Sequence, residues 1–488
     1  MSFESRTTSA VGGRVPHRAE PALRRGHQQA AEGVLTHPAD RTTYGMSTPA
    51  RDQHIVVIGL GYVGLPLAAA FTEAGATVTG IDLSPARVAA LRAGRSPIED
   101  IDDTRLGSIL AAGFSVCHTD AAGPALAGAD AIFVCVPTPV TASKDPDLVP
   151  ILAAGALIGG HVRAGTLVIL QSTTFPGTTM GPFREAIEQV SGLRAGHDFE
   201  LAFAPERINP GDPVSAGRTM PRLVGGSTLA TTTRAAALLR RINDTVIELS
   251  SPDAAEAAKL LENTFRNVNI AFVNQLALLC ERMGLDAWEV IDAASTKPFG
   301  FMRFTPGPGV GGHCIPVDPY YLAWRARQFG FTDRFIELAG DINDAMPRHV
   351  VDLAATALNE RGKALRGARV GVIGVAFKPN VGDARTSPSA PIIAGLAERG
   401  AFIAYHDPHV PTFHDATGTA HSSVSLDELL AASDLVIVLT AHEAIDLDRV
   451  YTHAGLVLDT VNSSKGRRLH PRSVLRLGAG WNDAVPGN

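Results

Sequence analysis

One short stretch constrains the fold of this chain more than any other. Ile55-Val-Val-Ile58 runs into Gly59-Leu-Gly-Tyr-Val-Gly64, and an apolar run from Pro66 to Ala74 follows. A brief apolar strand that meets glycines spaced G-x-G-x-x-G and continues as a helix predicts one unit of a parallel, doubly wound sheet. The next strand is expected over Thr77–Ile81, ending at Asp82. Gly59 permits the tight turn, Gly61 lets the backbone approach a pyrophosphate, and Gly64 lets the helix pack on the strand. The helix N-terminus offers free N–H groups to phosphates. Asp82, 18 residues beyond Gly64, is placed to accept hydrogen bonds from a ribose diol. Its charge repels a 2′-phosphate, which favours NAD over NADP. Tyr62 and Val63 complete the turn as cofactor contacts. A plain structural turn is the competing reading.

The C-terminal part repeats this order. Further apolar strands are expected at Asp130–Val136 and Thr166–Leu170, and a second series at Arg369–Gly374, Ala401–Tyr405, Asp434–Leu439 and Leu456–Asp459, with a helix over Ala390–Glu398. Near-continuous apolar strands alternating with helices indicate sheets buried on both faces. The fold class is therefore α/β, with two doubly wound Rossmann-like domains. Between them a helical pattern runs from about Pro252 to Met283, with start signals at Ser251 and Asp253 and a stop at Gly284. Some 30 residues make a rod of about 45–50 Å, long enough to bridge the two domains and meet a partner chain. Two shorter helices broken within that span are the alternative. The expected domains are a disordered tail over 1–50, a Rossmann domain over 51–248, a central helical domain over 249–347 and a second Rossmann-like domain over 348–488. In the tail, Glu4, Glu20 and Glu32 interrupt the positive charge that a targeting segment needs, and Met46 offers an alternative start.

A formal net charge of −6 argues against nucleic-acid binding, which needs a basic surface. No apolar run is long enough to span a bilayer. The four cysteines Cys117, Cys135, Cys280 and Cys314 are widely spaced, with no C-x-x-C pair, so neither a disulfide framework nor a zinc site is expected. A reducing cytoplasm fits best.

The chemistry concentrates in Gly307-Pro-Gly-Val-Gly-Gly-His-Cys314-Ile-Pro-Val-Asp318. A Gly/Pro-rich loop holds an unusual backbone course and exposes a thiol. A nucleophilic cysteine must reach the thiolate, and His313 or Lys259 is a candidate for the cation that would lower its pKa. Spacing alone leaves a reactive Cys314 and an inert buried one equally open. The other three cysteines sit in or near apolar elements and read as core. On the central helix, Lys259, Asn263 and Asn267 share one stripe at i, i+4 spacing, with Leu260, Leu261, Phe265, Val268 and Phe272 as apolar remainder. The stripe has the chemistry to stabilise an oxyanion, though on residues alone a solvent-facing polar stripe accounts for it better. Lys378 stands where the second domain's turn opens, either for a phosphate or sugar, or as a solvated lysine.

Taken together, these residues resemble the UDP-glucose/GDP-mannose dehydrogenase family, over about residues 53 to 475. Seven motifs occur in order: Gly59-Leu-Gly-Tyr-Val-Gly-Leu-Pro66, Val136-Pro-Thr-Pro139, Gln171-Ser-Thr-Thr-Phe-Pro-Gly-Thr178, Ala204-Pro-Glu-Arg207, Lys259-Leu-Leu-Glu-Asn263, the Cys314 loop, and Phe377-Lys-Pro-Asn-Val-Gly-Asp-Ala-Arg-Thr-Ser-Pro388. The resemblance implies a four-electron oxidation of a C6 alcohol in two hydride transfers to NAD, through a cysteine thiohemiacetal and thioester. By motif position Cys314 is the nucleophile. Lys259 and Asn263 stabilise oxyanions, and Asp318 and Thr173 position or polarise the water. Glu206 handles protons at the thioester stage. Thr138 and Arg385 touch NAD; Lys378 and Arg207 serve the UDP-sugar substrate. Arg303 reaches the site of a neighbouring subunit, since the resemblance also implies a homodimer or larger.

Three departures bear on the sugar. The UDP-glucose branch carries Ser and Lys where this chain has His313 and Val317, and a second carboxylate where it has Pro210. His313-Cys-Ile-Pro-Val-Asp-Pro-Tyr-Tyr-Leu322 resembles the branch acting on UDP-N-acetylmannosamine or UDP-N-acetylglucosamine, and a small Val317 makes room for an N-acetyl group. A UDP-glucose 6-dehydrogenase is the alternative substrate reading. A two-electron hydroxyacid dehydrogenase would need no cysteine, and a non-catalytic sensor of NAD and nucleotide sugars would need no nucleophile.

Overall fold

The computed structural model describes residues 53–98, 100–141, 143–207 and 218–482. The expected tail, Met46 and Pro210 lie outside the described residues. The first sheet comprises β1 (His54–Ile58), β2 (Thr77–Asp82), β3 (Ser115–His118), β4 (Ala131–Val134), β5 (Leu167–Leu170), β6 (Glu200–Phe203), β7 (Arg222–Gly226) and β8 (Val246–Leu249), in the order β3-β2-β1-β4-β5-β6-β7-β8. Neighbours pair in parallel except β6 with β7. Chain order reverses between β1 and β4, and that crevice at the carboxyl ends is where doubly wound sheets bind ligands.

The packing explains why the strands read as unbroken apolar runs. Side chains alternate between faces. Ile55 and Val57 enter one core with Leu65, Phe71 and Phe133, while Val56 and Ile58 enter another with Ile132, Val134 and Phe183. Both faces are covered, so from Ile55 to Ile58 no position is left for a polar residue. Each such side chain contributes about 1.5–3 kcal/mol on burial.

The second sheet repeats the plan with β9 (Arg369–Ile373) and β10 (Phe402–His406). After a small hairpin, β11 (Thr412–His414) with β12 (Ala420–Ser422), come β13 (Leu435–Val438), β14 (Val457–Asp459), β15 (Val474–Arg476) and β16 (Gly480–Trp481). Its order is β10-β9-β13-β14-β15-β16, so its switch point falls between β9 and β13. The expected pair of doubly wound units is what the chain forms. Strand β4 stops two residues short of the expected Val136, because the Cys135 N–H closes the ladder on Ile58 O and the chain then leaves the sheet.

A single helix runs from Pro252 to Met283 without a break. Ser251 accepts the Ala254 N–H with its hydroxyl, Pro252 opens the first turn, and Gly284 closes the helix at φ 67. These local signals fit one long helix rather than two. The rod joins the two halves physically: Ala255 packs in the core that holds Val56 and Ile58, Ala277 and Cys280 in the core of the second sheet. Helices Asp318–Gln328 and Arg334–Asn359 flank it. Among the described residues no helix is long and apolar enough to cross a membrane.

Candidate active site

The Gly59 turn is shaped for a dinucleotide. Gly59 has φ 90, and a Cβ there would meet Cys135 O at 2.5 Å. At Gly64 a Cβ would meet Gly59 O at 1.8 Å. Around Gly61 a Cβ would meet nothing within 4 Å, which leaves the close approach that a pyrophosphate requires. The helix Gly64–Glu73 has no side-chain cap, so no side chain of the turn occupies its N-terminal N–H groups. Asp82 accepts the Leu60 N–H at 2.9 Å and the Ser84 N–H at 2.8 Å, with Arg87 beside it at 3.1 Å. Opposite, the Arg385 guanidinium lies 5.5 Å from the centre of the Tyr62 ring. Two expected cofactor contacts from different halves of the chain therefore meet. Thr138 is fixed from below, since the buried Tyr321 meets its side chain and donates to Pro139 O at 3.0 Å.

The polar stripe on the long helix does not face solvent. Lys259, Asn263 and Asn267 are all buried, and the solvent-facing reading is wrong. Leu261, Phe265 and Phe272 are instead the exposed side of this helix. The helix turns its polar stripe inward because helix Asp318–Gln328 brings a buried carboxylate to meet it. Asn263 donates to Asp318 Oδ2 at 2.5 Å. Burial pushes the Asp318 carboxyl up to about 6, against the pull of Lys259 and the Asn263 hydrogen bond. Asn267 belongs to a different network: Asn343 donates to its side chain at 2.9 Å, Asn274 donates to Asn343 at 2.9 Å, and Asn274 accepts the Gly307 N–H at 3.0 Å. That chain of buried amides holds the start of the cysteine loop.

Cys314 lies at the turn into helix Asp318–Gln328, its carbonyl accepting the Asp318 N–H at 2.8 Å. The residue is solvent-accessible, yet the surrounding walls push its thiol up to about 11. Asp318 adds to this rise, while Lys259 and Arg266 oppose it. The expected lowering of the thiol pKa does not occur, because two cations are outweighed by burial and one carboxylate. His313 is not the expected cation either. Burial and the Arg385 charge hold it below the usual imidazole value, with Asp383, at 3.9 Å, opposing. The loop's glycines serve close packing: a Cβ at Gly311 would meet Phe377 Cβ at 2.7 Å, and Gly312 O accepts from Thr386 at 2.8 Å. The cysteine loop is thus seated on the Phe377–Pro388 segment of the second half.

The Gln171–Thr178 segment, which carries Thr173, is tied to the long helix by a residue the sequence reading missed. Glu256 is fully buried and accepts from Gly177 N at 2.7 Å, Thr179 N at 2.9 Å and Thr179 Oγ1 at 2.6 Å. Burial raises its carboxyl to about 7 despite those donors. Its position three residues before Lys259, on the same helix face, was the available signal. On the other side of the segment, Phe175 stacks on Trp324 at 4.7 Å.

Other expected residues are committed elsewhere. Glu206 pairs with Arg222 at 2.7 Å and accepts from Gln171 at 3.0 Å, in a network beside Cys135. Arg207, expected on the substrate side, pairs with Glu262 at 2.7 Å and donates to Pro221 O at 2.9 Å, which makes it a brace for the long helix. Arg303 pairs with Asp292 at 2.8 Å. Val317 joins the apolar cluster of Phe175, Leu260 and Tyr321, so its contacts are those of a packing residue. Lys378 is half-buried on the segment that seats the cysteine loop. Cys280 is core as expected. Cys117 and Cys135 are half-buried, and burial pushes the Cys135 thiol well up, which keeps it inert.

Three models of one family match this chain in order. Residues 53–243 match the NAD binding domain of the UDP-glucose/GDP-mannose dehydrogenase family, residues 253–345 its central domain and residues 371–465 its UDP binding domain. The UDP-N-acetyl-D-glucosamine 6-dehydrogenase of Pseudomonas aeruginosa is 38% identical over 361 residues, covering 74% of this chain and 84% of that one. The solved structure of a UDP-D-ManNAc dehydrogenase from Pyrococcus horikoshii superposes with a TM-score of 0.79 at 30% identity, covering 87% of this chain and 99% of that one. A UDP-glucose dehydrogenase from Pyrobaculum islandicum superposes with a TM-score of 0.76 at 30% identity, covering 90% and 100%. Backbone shape therefore does not separate the sugars these enzymes are named for.

Proposed function

Since this chain belongs to the UDP-glucose/GDP-mannose dehydrogenase family, we propose that it oxidises the C6 alcohol of a UDP-N-acetylhexosamine to the carboxylate through Cys314. The observation that carries this reading is the convergence of Lys259 and Asp318 on the thiol, with Asn263 bonded to Asp318, brought together by two helices and a glycine-rich loop.

NAD would be held on the Gly59–Gly64 turn, where it would supply a hydride acceptor for each of the two oxidations. The chain's own residues do the rest. Cys314 Sγ adds to the C6 aldehyde, and its proton passes to the Asp318 carboxylate. A thiol raised to about 11 rests protonated near neutral pH, so an adjacent acceptor is needed, and Asp318 at about 6 is ionised there. Lys259 and Asn263 stabilise the oxyanion of the thiohemiacetal, and again that of thioester hydrolysis. In a dry site such donors contribute about 3–4 kcal/mol each. Asp318 and Thr173 orient the hydrolytic water. Glu206, paired with Arg222, braces the network beside Cys135 more than it exchanges protons. Arg385 and Tyr62, which meet each other, would hold the cofactor, and Lys378 takes the nucleotide sugar.

The choice of an N-acetylated sugar is supported by the His313–Leu322 string and by the Pseudomonas relative's named substrate. A second copy of the chain covers the exposed Leu261, Phe265 and Phe272 face, whose apolar area otherwise faces water. The four free thiols suit a cytoplasmic enzyme. The test is NADH formed per sugar consumed, with UDP-N-acetylmannosamine, UDP-N-acetylglucosamine and UDP-glucose in turn. Two NADH per N-acetylated sugar is the expected result. Two with UDP-glucose alone overturns the substrate, and one per sugar overturns the thioester route.

A further inference from the structure

The two halves of the chain begin alike, and the likeness reaches one residue further than the fold requires. Gly59 N donates to Ile81 O at 2.8 Å, and Gly374 N donates to His406 O at 2.9 Å. Both glycines have positive φ, at 90 and 75. Ile58 registers with Ile81, and Ile373 with His406. Asp82 and Asp407 follow at the same place, each at the carboxyl end of the second strand of its unit.

Their surroundings differ. Asp407 accepts five hydrogen bonds. Oδ2 takes Val375 N at 2.8 Å, Ala376 N at 3.1 Å and His442 Nε2 at 3.1 Å. Oδ1 takes His409 N at 2.8 Å and Val410 N at 3.1 Å. The side chains of Asp407 and His442 are both 0% exposed, so no ligand hydroxyl can reach this carboxylate. Against the penalty of burial, His442 and the backbone donors hold it at about 2. On its other edge His442 Nδ1 lies 2.9 Å from the Asn380 N–H. That nitrogen must accept, so the ring proton sits on Nε2 and points at Asp407. Asn380 is in the left-handed region at φ 62, and its side chain accepts the Glu443 N–H at 2.9 Å. Thr440 donates to Ala376 O at 2.7 Å. The segment Val375–Asn380 is strapped at both ends, with Lys378 between the straps.

We propose that Asp407 and His442 are positioning residues that preset the Lys378 segment for a nucleoside diphosphate sugar. The position that in the first half faces a ribose serves in the second half to shape a binding loop instead. This rests on the assignment of Lys378 to the nucleotide sugar.

The test is calorimetric binding of UDP to the full-length protein, together with KM for NAD and for the sugar nucleotide. His442→Gln keeps a donor toward Asp407 and loses the acceptor for Asn380. It is expected to weaken UDP about five- to tenfold, with KM for NAD unchanged. His442→Asn restores an acceptor where Nδ1 stood and is expected to recover most of the affinity, which a merely space-filling role would not produce. Unaltered UDP affinity in His442→Gln, while Lys378→Met loses UDP, overturns the inference and leaves the Lys378 assignment standing. Unaltered affinity in Lys378→Met overturns that assignment and the inference with it. Equal losses for UDP and NAD mean a general loosening and overturn the inference. If His442→Gln does not fold, Asp407→Asn replaces one of the accepting carboxylate oxygens with a donor, and wild-type UDP affinity there is again the overturning result.

Discussion

Asn263→Ala is the most informative single change, because it moves a titration instead of merely lowering a rate. Asp318 sits at about 6, raised from 3.8. That rise corresponds to about 3 kcal/mol of preference for the neutral acid. The Asn263 amide, at 2.5 Å, is one of two influences that restrain it. A hydrogen bond to a charged group is worth about 1.5–3 kcal/mol, so its loss raises the carboxyl by about one to two pH units. If Asp318 must be ionised to take the thiol proton, kcat/KM for the sugar falls below about pH 6 in the native enzyme. In Asn263→Ala the same limb is expected at about pH 7–8. The assay is NADH absorbance against pH at saturating NAD, with a thermal melt at each pH to exclude unfolding. A limb that stays at about 6, or shifts to lower pH, refutes the role of Asp318 as proton acceptor. The sign for stability is separate. A carboxyl whose folded value lies above its unfolded one favours the fold at low pH and withdraws that contribution as pH rises through about 6.

Cys314→Ser is expected to lower overall turnover by about 10³ or more, since serine is a poor substitute where a thioester must form and break; turnover close to native, followed by NADH, would favour a two-electron reaction without a covalent step. Glu256, raised from 4.5 to about 7, opposes folding by up to about 3 kcal/mol as pH rises through that window. Glu256→Gln cannot titrate, so its melting temperature should vary less with pH between 4.5 and 7 than the native protein's, and parallel curves would contradict the burial argument. Phe272→Glu puts a charge on the exposed face of the long helix, where Phe272 is 62% exposed. It is expected to reduce the oligomer measured by light scattering without lowering the melting temperature of the protomer, and an unchanged mass would place the partner contact elsewhere.

Much of this protein was legible in the order of its residues, and the legible parts share a cause: their physics is local. The Gly59–Gly64 turn, the strand that precedes it and the caps at Ser251 and Gly284 depend on backbone conformations and hydrogen bonds within a few residues, so spacing alone announces them. Apolar strand runs likewise declare that both faces of a sheet are covered, whatever covers them. The motif resemblance then placed Cys314, Lys259, Asn263 and Asp318 in one site, and the structure brings those four together.

What tertiary structure alone decided is everything that depends on which distant element arrives alongside. Periodicity puts Lys259 and Asn263 on one face of the long helix, but it took Asp318, 55 residues beyond Asn263, to make that face the buried one. The height of the Cys314 thiol is a balance of burial against charges drawn from two helices, and no spacing rule contains that balance. Motif position assigns Glu206 to proton handling and Arg207 to the substrate, and only the fold shows that they pair with Arg222 and Glu262. Asp407 repeats Asp82 by position, yet His442 and the backbone N–H groups of Val375 and Ala376 occupy its Oδ2. Chain order determines which side chains exist and how the backbone near them bends. The dielectric, the hydrogen-bond partners and the charges that set their chemistry come from contacts across the fold, and those exist only once it has closed.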